Sequence, residues 1–315
     1  MILEVKGFMQ VTTASENKRK ELKYDLLQHL KGYCLVAPAI ALLCLFTLYP
    51  MFWLVRSSLY DGSLISKKRN YIGLDNFTSL FHNPDFGRIV LNTAIYSVGL
   101  VAAMMVLSTL AAVWLNSKVH KRLNSLTLAA IFTPHIISLV SVTTIFLWLL
   151  DPQIGAINYV LKLLHLPTCP FLGSSKTALF ALVLMMTWKG TGYYTLLTVA
   201  ALQGVPGEIY EAAALDGTSG IRVFFHITLP MISPTLFFST IVATIHSFQV
   251  FDPISLMTLG GPANSTNTLV FQIYSDAFKY LRLGLASAEG TILLGFVLIL
   301  TIIYFAVLGK RVHYQ

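Results

Sequence analysis

Six long apolar runs alternate with shorter polar stretches along this chain. Each run holds roughly 20–24 residues, which at about 1.5 Å per residue is enough for a helix to cross a hydrocarbon core about 30 Å thick. The runs fall at 33–55, 92–115, 126–149, 177–200, 231–251 and 285–308. This pattern predicts an all-α integral membrane protein with about six transmembrane helices.

One polar stretch in the C-terminal half, residues 205–230, has the signature of two short helices joined by a tight turn. Pro206 opens the first helix, and Gly217 stands where a left-handed residue would end it. Thr218 or Ser219 then occupies the cap position of the second helix. Such a segment forms a compact protrusion that another protein can grip. An interfacial amphipathic loop without a partner is the alternative.

Composition agrees with the membrane interpretation. The hydrophobic share of the 315 residues is 55%, charged residues make up 11%, and the mean hydropathy is +0.69, which excludes an ordinary soluble domain. A net charge of +8 would suit nucleic acid, but the cations gather at the ends of the apolar runs. That placement is typical of membrane topology, so no nucleic-acid partner is predicted.

Lysine and arginine in the loops set the orientation. With the N-terminus inside, the inner segments hold twelve of these residues and the outer segments nine. We therefore predict that both termini are cytoplasmic and that residues 205–230 form a cytoplasmic coupling helix between the fourth and fifth spans. The expected divisions are an N-terminal arm at 1–31, a transmembrane domain at 32–310 and a tail at 311–315.

The chain carries no pattern typical of an active site. Residues 173–177 end in Lys-Thr but lack the Gly-Lys pair and upstream glycine with which a Walker A loop cradles phosphate. The three cysteines and eight histidines are scattered. We predict no catalytic residue, no metal site and no cofactor bound by this chain.

The coupling segment carries a motif whose members are Glu211, Ala212, Ala213, Asp216, Gly217, Ile227, Leu229 and Pro230. It resembles the EAA motif of inner-membrane permease subunits of binding-protein-dependent ABC importers, which asks for Glu-Ala-Ala, then Gly, then Ile-x-Leu-Pro. The resemblance implies a multi-pass protein of the bacterial inner membrane that is not itself an enzyme. It also implies a second permease subunit, two ATPase subunits that hold ATP and Mg²⁺ and grip this segment, and an extracytoplasmic solute-binding protein.

The segments predicted to lie outside resemble carbohydrate-importer permeases of the maltose and glycerol-phosphate type. The matching stretches are Tyr71-Ile72-Gly73-Leu74-Asp75-Asn76-Phe77, Pro84-Asp85-Phe86 with Asn92-Thr93, Asp151-Pro152 with Gly155 and Asn158, and Gly260-Gly261-Pro262-Ala263-Asn264-Ser265-Thr266. The last stretch is typical of the first permease of such pairs. The resemblance implies a sugar or oligosaccharide as the solute.

Aromatic, amide and hydroxyl side chains inside the spans are candidates for contact with a sugar. They are Trp188, Lys189, Tyr193 and Tyr194 in the fourth run, and His246, Ser247 and Gln249 in the fifth. Aromatic faces stack on sugar C–H surfaces, although each ring can equally fill a helix contact. A charge within the membrane points first to function, and Lys189 would suit an anionic solute such as a glycerol phosphate. A basic residue after Trp is common in the family that the chain resembles, whatever the solute, so the resemblance favours a structural pairing.

Three alternatives remain open at this point. The same importer class can carry glycerol phosphate, a polyamine or another small polar solute. An ion-coupled secondary transporter would need carboxylates within the spans, and only Glu289 and Asp252 come near. A membrane-bound enzyme or scaffold is the third, and the missing catalytic constellation counts against it.

Overall fold

The computed structural model describes residues 32–63, 69–116 and 121–308. The expected arm at 1–31 and tail at 311–315 lie outside these ranges. The chain divides into two units, one ending at Arg56 and the other beginning at Ser57. Helix α1, Gly32–Ser57, accounts for the described part of the first unit, and its 26 residues span about 39 Å.

The second unit is helical apart from one short hairpin. Its elements are β1 Tyr60–Asp61, β2 Asn70–Tyr71, α2 Asp75–His82, α3 Pro84–Leu115, α4 Lys121–Ile136, α5 Leu139–Leu149, α6 Ala156–Leu163, α7 Ala178–Gln203, α8 Gly207–Leu215, α9 Gly220–Met231, α10 Ser233–Phe248, α11 Leu269–Tyr274 and α12 Leu283–Ile303. The strands pair antiparallel, with Tyr60 opposite Tyr71. This hairpin of two-residue strands lies in the polar stretch after α1, and the second unit is otherwise mostly helical, in agreement with the predicted class.

Helices α3 and α7 make the most extensive helix contact among the described residues, and they run parallel. Along the contact, Gly99 faces Val183, Met104 faces Gly190, and Leu115 shares an apolar cluster with Leu202. Residue numbers therefore rise together along both helices. The N-terminal ends of α3 and α7 lie at one end of the bundle, and their C-terminal ends lie at the other.

Within the described ranges, three helices are long and apolar enough to cross a membrane, or up to five if each of two bent pairs counts as one span. Helix α7 is not among them although it has 26 residues. Its centre, 188–194, holds a lysine, a tryptophan and two tyrosines. Because α7 packs against α3, α4 and α10, much of its surface meets protein, where a polar side chain costs less than it does in lipid.

Two of the predicted spans are broken. The run at 126–149 forms α4 and α5, bent by 97° at residues 137–138, and the run at 231–251 begins at a 69° bend between α9 and α10. Pro134 lies two residues before the end of α4, where its missing N–H and bulky ring weaken the helix. The second predicted span starts earlier than expected, because Asn83 caps α3 and Pro84 occupies its first turn.

Candidate coupling segment and translocation pathway

The coupling segment (residues 205–230) begins with helix α8. A hydrogen-bonded turn ends this helix. The N–H of Thr218 donates to the carbonyl of Ala213, and the N–H of Gly217 donates to that of Ala214, both at 3.1 Å. This pair of bonds is the Schellman arrangement, which needs a left-handed residue. Gly217 has φ +67°, so the left-handed turn expected at this glycine is confirmed.

The second half of the coupling segment is a helix bonded to the first. Ser219 is the N-cap of α9, as expected, but its side chain makes no capping hydrogen bond. Tyr210 Oη donates to Thr228 Oγ1 at 3.3 Å and joins α8 to α9. The turn and this bond hold two short helices as one rigid unit.

The motif residues divide between the surface and the interior. Glu211, Ala212, Asp216 and Gly217 are exposed, Ala213 is buried, and Ile227, Leu229 and Pro230 are half-buried. Apolar side chains are exposed beside them, including Leu215 at 90% and Ile221 at 76%. An exposed apolar surface on a rigid polar protrusion is typical of a protein-docking site.

The side chain of Lys189 caps the C-terminal end of helix α4. Its Nζ donates to the carbonyls of Pro134, His135 and Ile137, at 3.2, 3.2 and 2.6 Å. These oxygens lie at the C-terminal end of α4, where the helix dipole favours a positive charge. An ammonium group has three N–H donors, and all three are used here. The geometry therefore agrees with a structural pairing of Lys189.

Glycine lets α7 come close enough for this contact. A Cβ at Gly192 would overlap the backbone carbonyl of Ile131, so only glycine fits where α7 crosses α4. Lys189 lies three residues earlier, on the same face of the helix. The close approach at Gly192 places the lysine stem over the end of α4.

The aromatic candidates on α7 contact rings on the neighbouring helices α4 and α5, and Tyr193 also contacts Tyr194. Tyr193 stacks on His135 at 4.9 Å between ring centroids, and Trp188 meets Phe146 at 5.3 Å. Trp188 is 47% exposed and Tyr193 is half-buried, so each keeps some free surface. Tyr194 is 6% exposed and belongs to the main apolar core.

The candidates on α10 lie apart from this group. His246 and Gln249 are exposed, whereas Ser247 is 1% exposed and donates its hydroxyl to the carbonyl of Thr244 at 2.7 Å. In the described part of the chain, no hydrogen bond or ring contact joins them to Trp188 or Tyr193. The structure therefore brings Lys189 and Tyr193 together with α4 and Trp188 together with α5, and it leaves the candidates at 246–249 separate.

A network of polar groups lies near the N-terminal end of α3, and the sequence did not predict it as a site. Asn92 Nδ2 donates to the carbonyls of Asn264 and Asn267 at 2.9 and 3.1 Å, and the N–H of Leu269 donates to Thr93 Oγ1. These bonds tie the stretch before the last span to the start of α3. The available signal was the pair Asn92-Thr93 at the start of an apolar run, where polar side chains need partners.

Carboxyl groups continue this network into the interior. Gln272 Nε2 donates to Asp276 Oδ2 at 2.6 Å. Glu289 is 1% exposed and Asp276 is 2% exposed, and the Oε2 atom of Glu289 has no hydrogen-bond partner among the described residues.

The loop after α5 is held by its own polar contacts. Asn158 Nδ2 donates to the carbonyl of Cys169 at 2.8 Å, and Asn158 Oδ1 accepts the N–H of Cys169 at 2.9 Å. The N–H groups of Ile154 and Gln153 donate to Asp151 and lower the pKa of its carboxyl. Among the described residues, no group of three His, Cys, Asp or Glu side chains is arranged to hold a metal ion.

Residues 78–314 match the protein family described as "Binding-protein-dependent transport system inner membrane component". This range covers helices α3 to α12 and the whole coupling segment.

Two relatives and one solved structure are informative. The chain is 32% identical to the sn-glycerol-3-phosphate transport system permease protein UgpA of Brucella abortus biovar 1 (strain 9-941), over 90% of this chain and 96% of that one. It is also 32% identical to the sulfoquinovosyl glycerol transport system permease protein SmoG of Agrobacterium fabrum (strain C58 / ATCC 33970), over 91% and 93%. Its fold is similar to a chain of a bacterial alginate ABC transporter in complex with alginate pentasaccharide-bound periplasmic protein, with a TM-score of 0.78, 24% identity, and 89% and 94% covered.

Proposed function

The chain belongs to the family of binding-protein-dependent transport system inner membrane components, and we propose that it forms part of the pathway by which an ABC importer carries a neutral sugar or oligosaccharide across the bacterial cytoplasmic membrane. It is a permease subunit of such an importer. The observation that carries the proposal is the coupling segment, a rigid and exposed pair of helices whose shape depends on Gly217.

The coupling segment is the part that partner ATPase subunits would grip. When the two ATPase subunits close, they would move α8 and α9 as one unit, because the turn and the Tyr210–Thr228 hydrogen bond resist separation of the two helices. The push would reach the 69° junction with α10 and tilt that span. ATP and Mg²⁺ belong to the partners, and this chain performs no covalent chemistry.

The proposed topology has six spans, with both termini in the cytoplasm. The spans are α1, α3, the bent pair α4–α5, α7, α10 and α12, within one transmembrane domain over 32–310. Two spans that run parallel must have an odd number of crossings between them. The parallel contact of α3 and α7 therefore supports counting α4–α5 as one crossing.

The contacts of Lys189 favour a neutral solute. UgpA is named for sn-glycerol 3-phosphate and SmoG for sulfoquinovosyl glycerol, and each is 32% identical to this chain. The ammonium of Lys189 is bonded to three carbonyls, so it has no further N–H to donate to an anion in the pathway. Glycerol phosphate is the second candidate, favoured by the similarity to UgpA.

The assembly we propose contains this chain, a second similar permease, two ATPase subunits and an extracytoplasmic binding protein, within membrane lipid. The two permeases would enclose the pathway between them. Trp188 and Tyr193 on α7, and His246 and Gln249 on α10, have exposed surface that can face it.

The test is uptake into proteoliposomes that hold both permeases and the ATPases. Tritiated maltose, tritiated sucrose and labelled sn-glycerol 3-phosphate would each be supplied with the binding protein and with ATP inside. We expect uptake of a neutral sugar that needs both ATP and the binding protein. Uptake of glycerol phosphate alone would favour the second candidate, and uptake driven by a proton or sodium gradient alone would contradict the importer.

A further inference from the structure

Two outer segments that are far apart in the sequence meet at the N-terminal end of α3 and form a polar pocket. Its volume is about 240 Å³. The polar side chains that line it include Asp85, Asn264, Asn267, Gln272, Lys279 and Tyr280. Neither the coupling segment nor the candidates on α7 and α10 contribute to it.

The wall formed by residues 259–267 has a fixed shape. Leu259, Gly260, Ala263 and Asn264 all have positive φ, between 50° and 85°, so this wall is a series of left-handed turns. Thr266, which is fully buried, donates its hydroxyl to the carbonyl of Gly261 at 2.7 Å and holds the turns together. The bonds from Asn92 described above fasten the wall to α3. A pocket built this way exists before a ligand arrives, which lowers the cost of binding.

The pocket offers hydrogen-bonding groups of both kinds with balanced charge. Asp85 and Asn264 lie side by side on one rim, with Asn264 Nδ2 3.4 Å from Asp85 Oδ2. Lys279 has its Nζ 4.8 Å from the centre of the Phe271 ring. Tyr280 adds an aromatic ring that is 61% exposed. One carboxylate, one ammonium, amides and a ring suit a neutral molecule with many hydroxyl groups better than they suit an anion.

The pocket and the coupling segment lie at opposite ends of the bundle. Ile89 lines the pocket, whereas Leu115 packs in the apolar cluster with Leu202 near the start of the coupling segment. The 26 residues between Ile89 and Leu115 correspond to about 39 Å of helix, which exceeds the hydrocarbon thickness. With the coupling segment in the cytoplasm, the pocket opens on the side from which solute is delivered.

We infer that this pocket is a contact site for the solute at the outer entrance of the pathway and takes one ring of a neutral sugar as the binding protein releases it. The inference rests on the proposed function. The rim residues Asp85, Asn264 and Lys279 would bond ring hydroxyls, and Tyr280 would cover a C–H face. Their role is to keep a released sugar at the entrance while the pathway is open outward.

The test compares two double variants in the reconstituted importer. Asp85→Asn with Lys279→Met removes both charges from the rim. Asp75→Asn with Lys176→Met makes the same charge changes at exposed sites outside the pocket. Because all four side chains are exposed, we expect both variants to assemble as the parent does, checked by size-exclusion chromatography of the complex.

The measurements are tritiated sugar taken up, ATP hydrolysed, and the binding-protein concentration that gives half-maximal hydrolysis. The probe is maltose or sucrose, whichever the parent carries. For the rim variant we expect about fivefold less sugar moved per ATP hydrolysed, because one or two hydrogen bonds to the sugar are lost. The binding-protein concentration that gives half-maximal hydrolysis should stay unchanged. The control variant should match the parent.

Two results would overturn the inference while leaving the proposed function intact. One is an unchanged ratio of sugar to ATP in the rim variant. The other is a raised half-maximal concentration with an unchanged ratio, which would mean that the pocket contacts the binding protein instead of the solute. Failure of the proposed function would appear in the parent, as the absence of neutral-sugar uptake.

Discussion

Lys189 shows how a costly charge can be accommodated inside a membrane protein. Three backbone carbonyls that a proline break leaves without helical partners accept its three N–H groups. The charge and the break thus stabilise each other, since each would be unfavourable alone. This residue holds the end of α4 against α7.

We predict that Lys189→Met lowers the stability of the purified permease pair by about 1–3 kcal/mol, because the carbonyls of Pro134, His135 and Ile137 lose their donor. Lys176→Met, at an exposed loop position, should leave stability unchanged. Thermal unfolding in detergent measures both. The preference for neutral sugar over sn-glycerol 3-phosphate should stay the same in Lys189→Met. A change in that preference would assign the ammonium to solute recognition.

At the scale of helices, the crossing of α4 and α7 depends on a residue without a side chain. A Cβ at Gly192 would meet backbone atoms of Ile131 and Phe132, which cannot rotate away. By contrast, a Cβ at Gly99, where α3 meets α7, would lie 3.8 Å from Val183, an ordinary contact.

Gly192→Ala should therefore push α7 away from α4 and cost at least about 1–3 kcal/mol, as over-packing does. Uptake should fall because Lys189 and Tyr193 would move with the helix. Gly99→Ala is the matched control and should retain both stability and uptake. The measurements are the unfolding midpoint and the initial uptake rate, and equal behaviour of the two variants would refute the close-packing argument.

The coupling helices provide the second prediction at this scale. Gly217→Pro cannot adopt φ +67° and removes the bond from its N–H to Ala214, and Glu211→Lys reverses an exposed charge that an ATPase groove would meet. Both variants should insert and assemble, yet hydrolysis should no longer respond to loaded binding protein and uptake should fall sharply. Gly220→Ala, in open space without a positive φ, is the control. If both coupling variants transport at the parent rate, the coupling role is wrong.

Much of this architecture could be predicted from the order of residues, and the rest depends on contacts between distant segments. Apolar runs located the long helices, and proline and glycine located the break after Pro134 and the turn at Gly217, because these residues act on their own backbone. The partners of Lys189 lie 52–55 residues away. The network at Asn92 joins residues more than 170 positions apart. No local pattern encodes such pairings.

At the scale of the whole second unit, the two ends hold different features. Helices α3 and α7 run parallel through it, so one end holds the network at Asn92 and the other holds the coupling segment. In the topology that we propose, these two ends lie on opposite sides of the membrane.

This arrangement is testable by labelling single cysteines. Ser175→Cys lies before α7 and Ser219→Cys lies after it, both at exposed positions, in a background where Cys34, Cys44 and Cys169 are replaced by alanine. A membrane-impermeant thiol reagent applied to spheroplasts should label the cysteine at position 175 and should not label the cysteine at position 219. Inside-out vesicles should give the reverse. Labelling of both from one side would contradict the six-span topology.

The hydrogen bonds that cap α4 are accepted by main-chain oxygens, so the side chains at these positions can differ while the cap is kept. The carbonyls of Pro134, His135 and Ile137 accept the ammonium of Lys189 through groups that every amino acid carries. A substitution at His135 alters the surface beside Tyr193 and leaves the three acceptors in place. In the pathway that we propose, a change of side chain at His135 would therefore alter the surface that a solute meets and leave the break in α4 as it is.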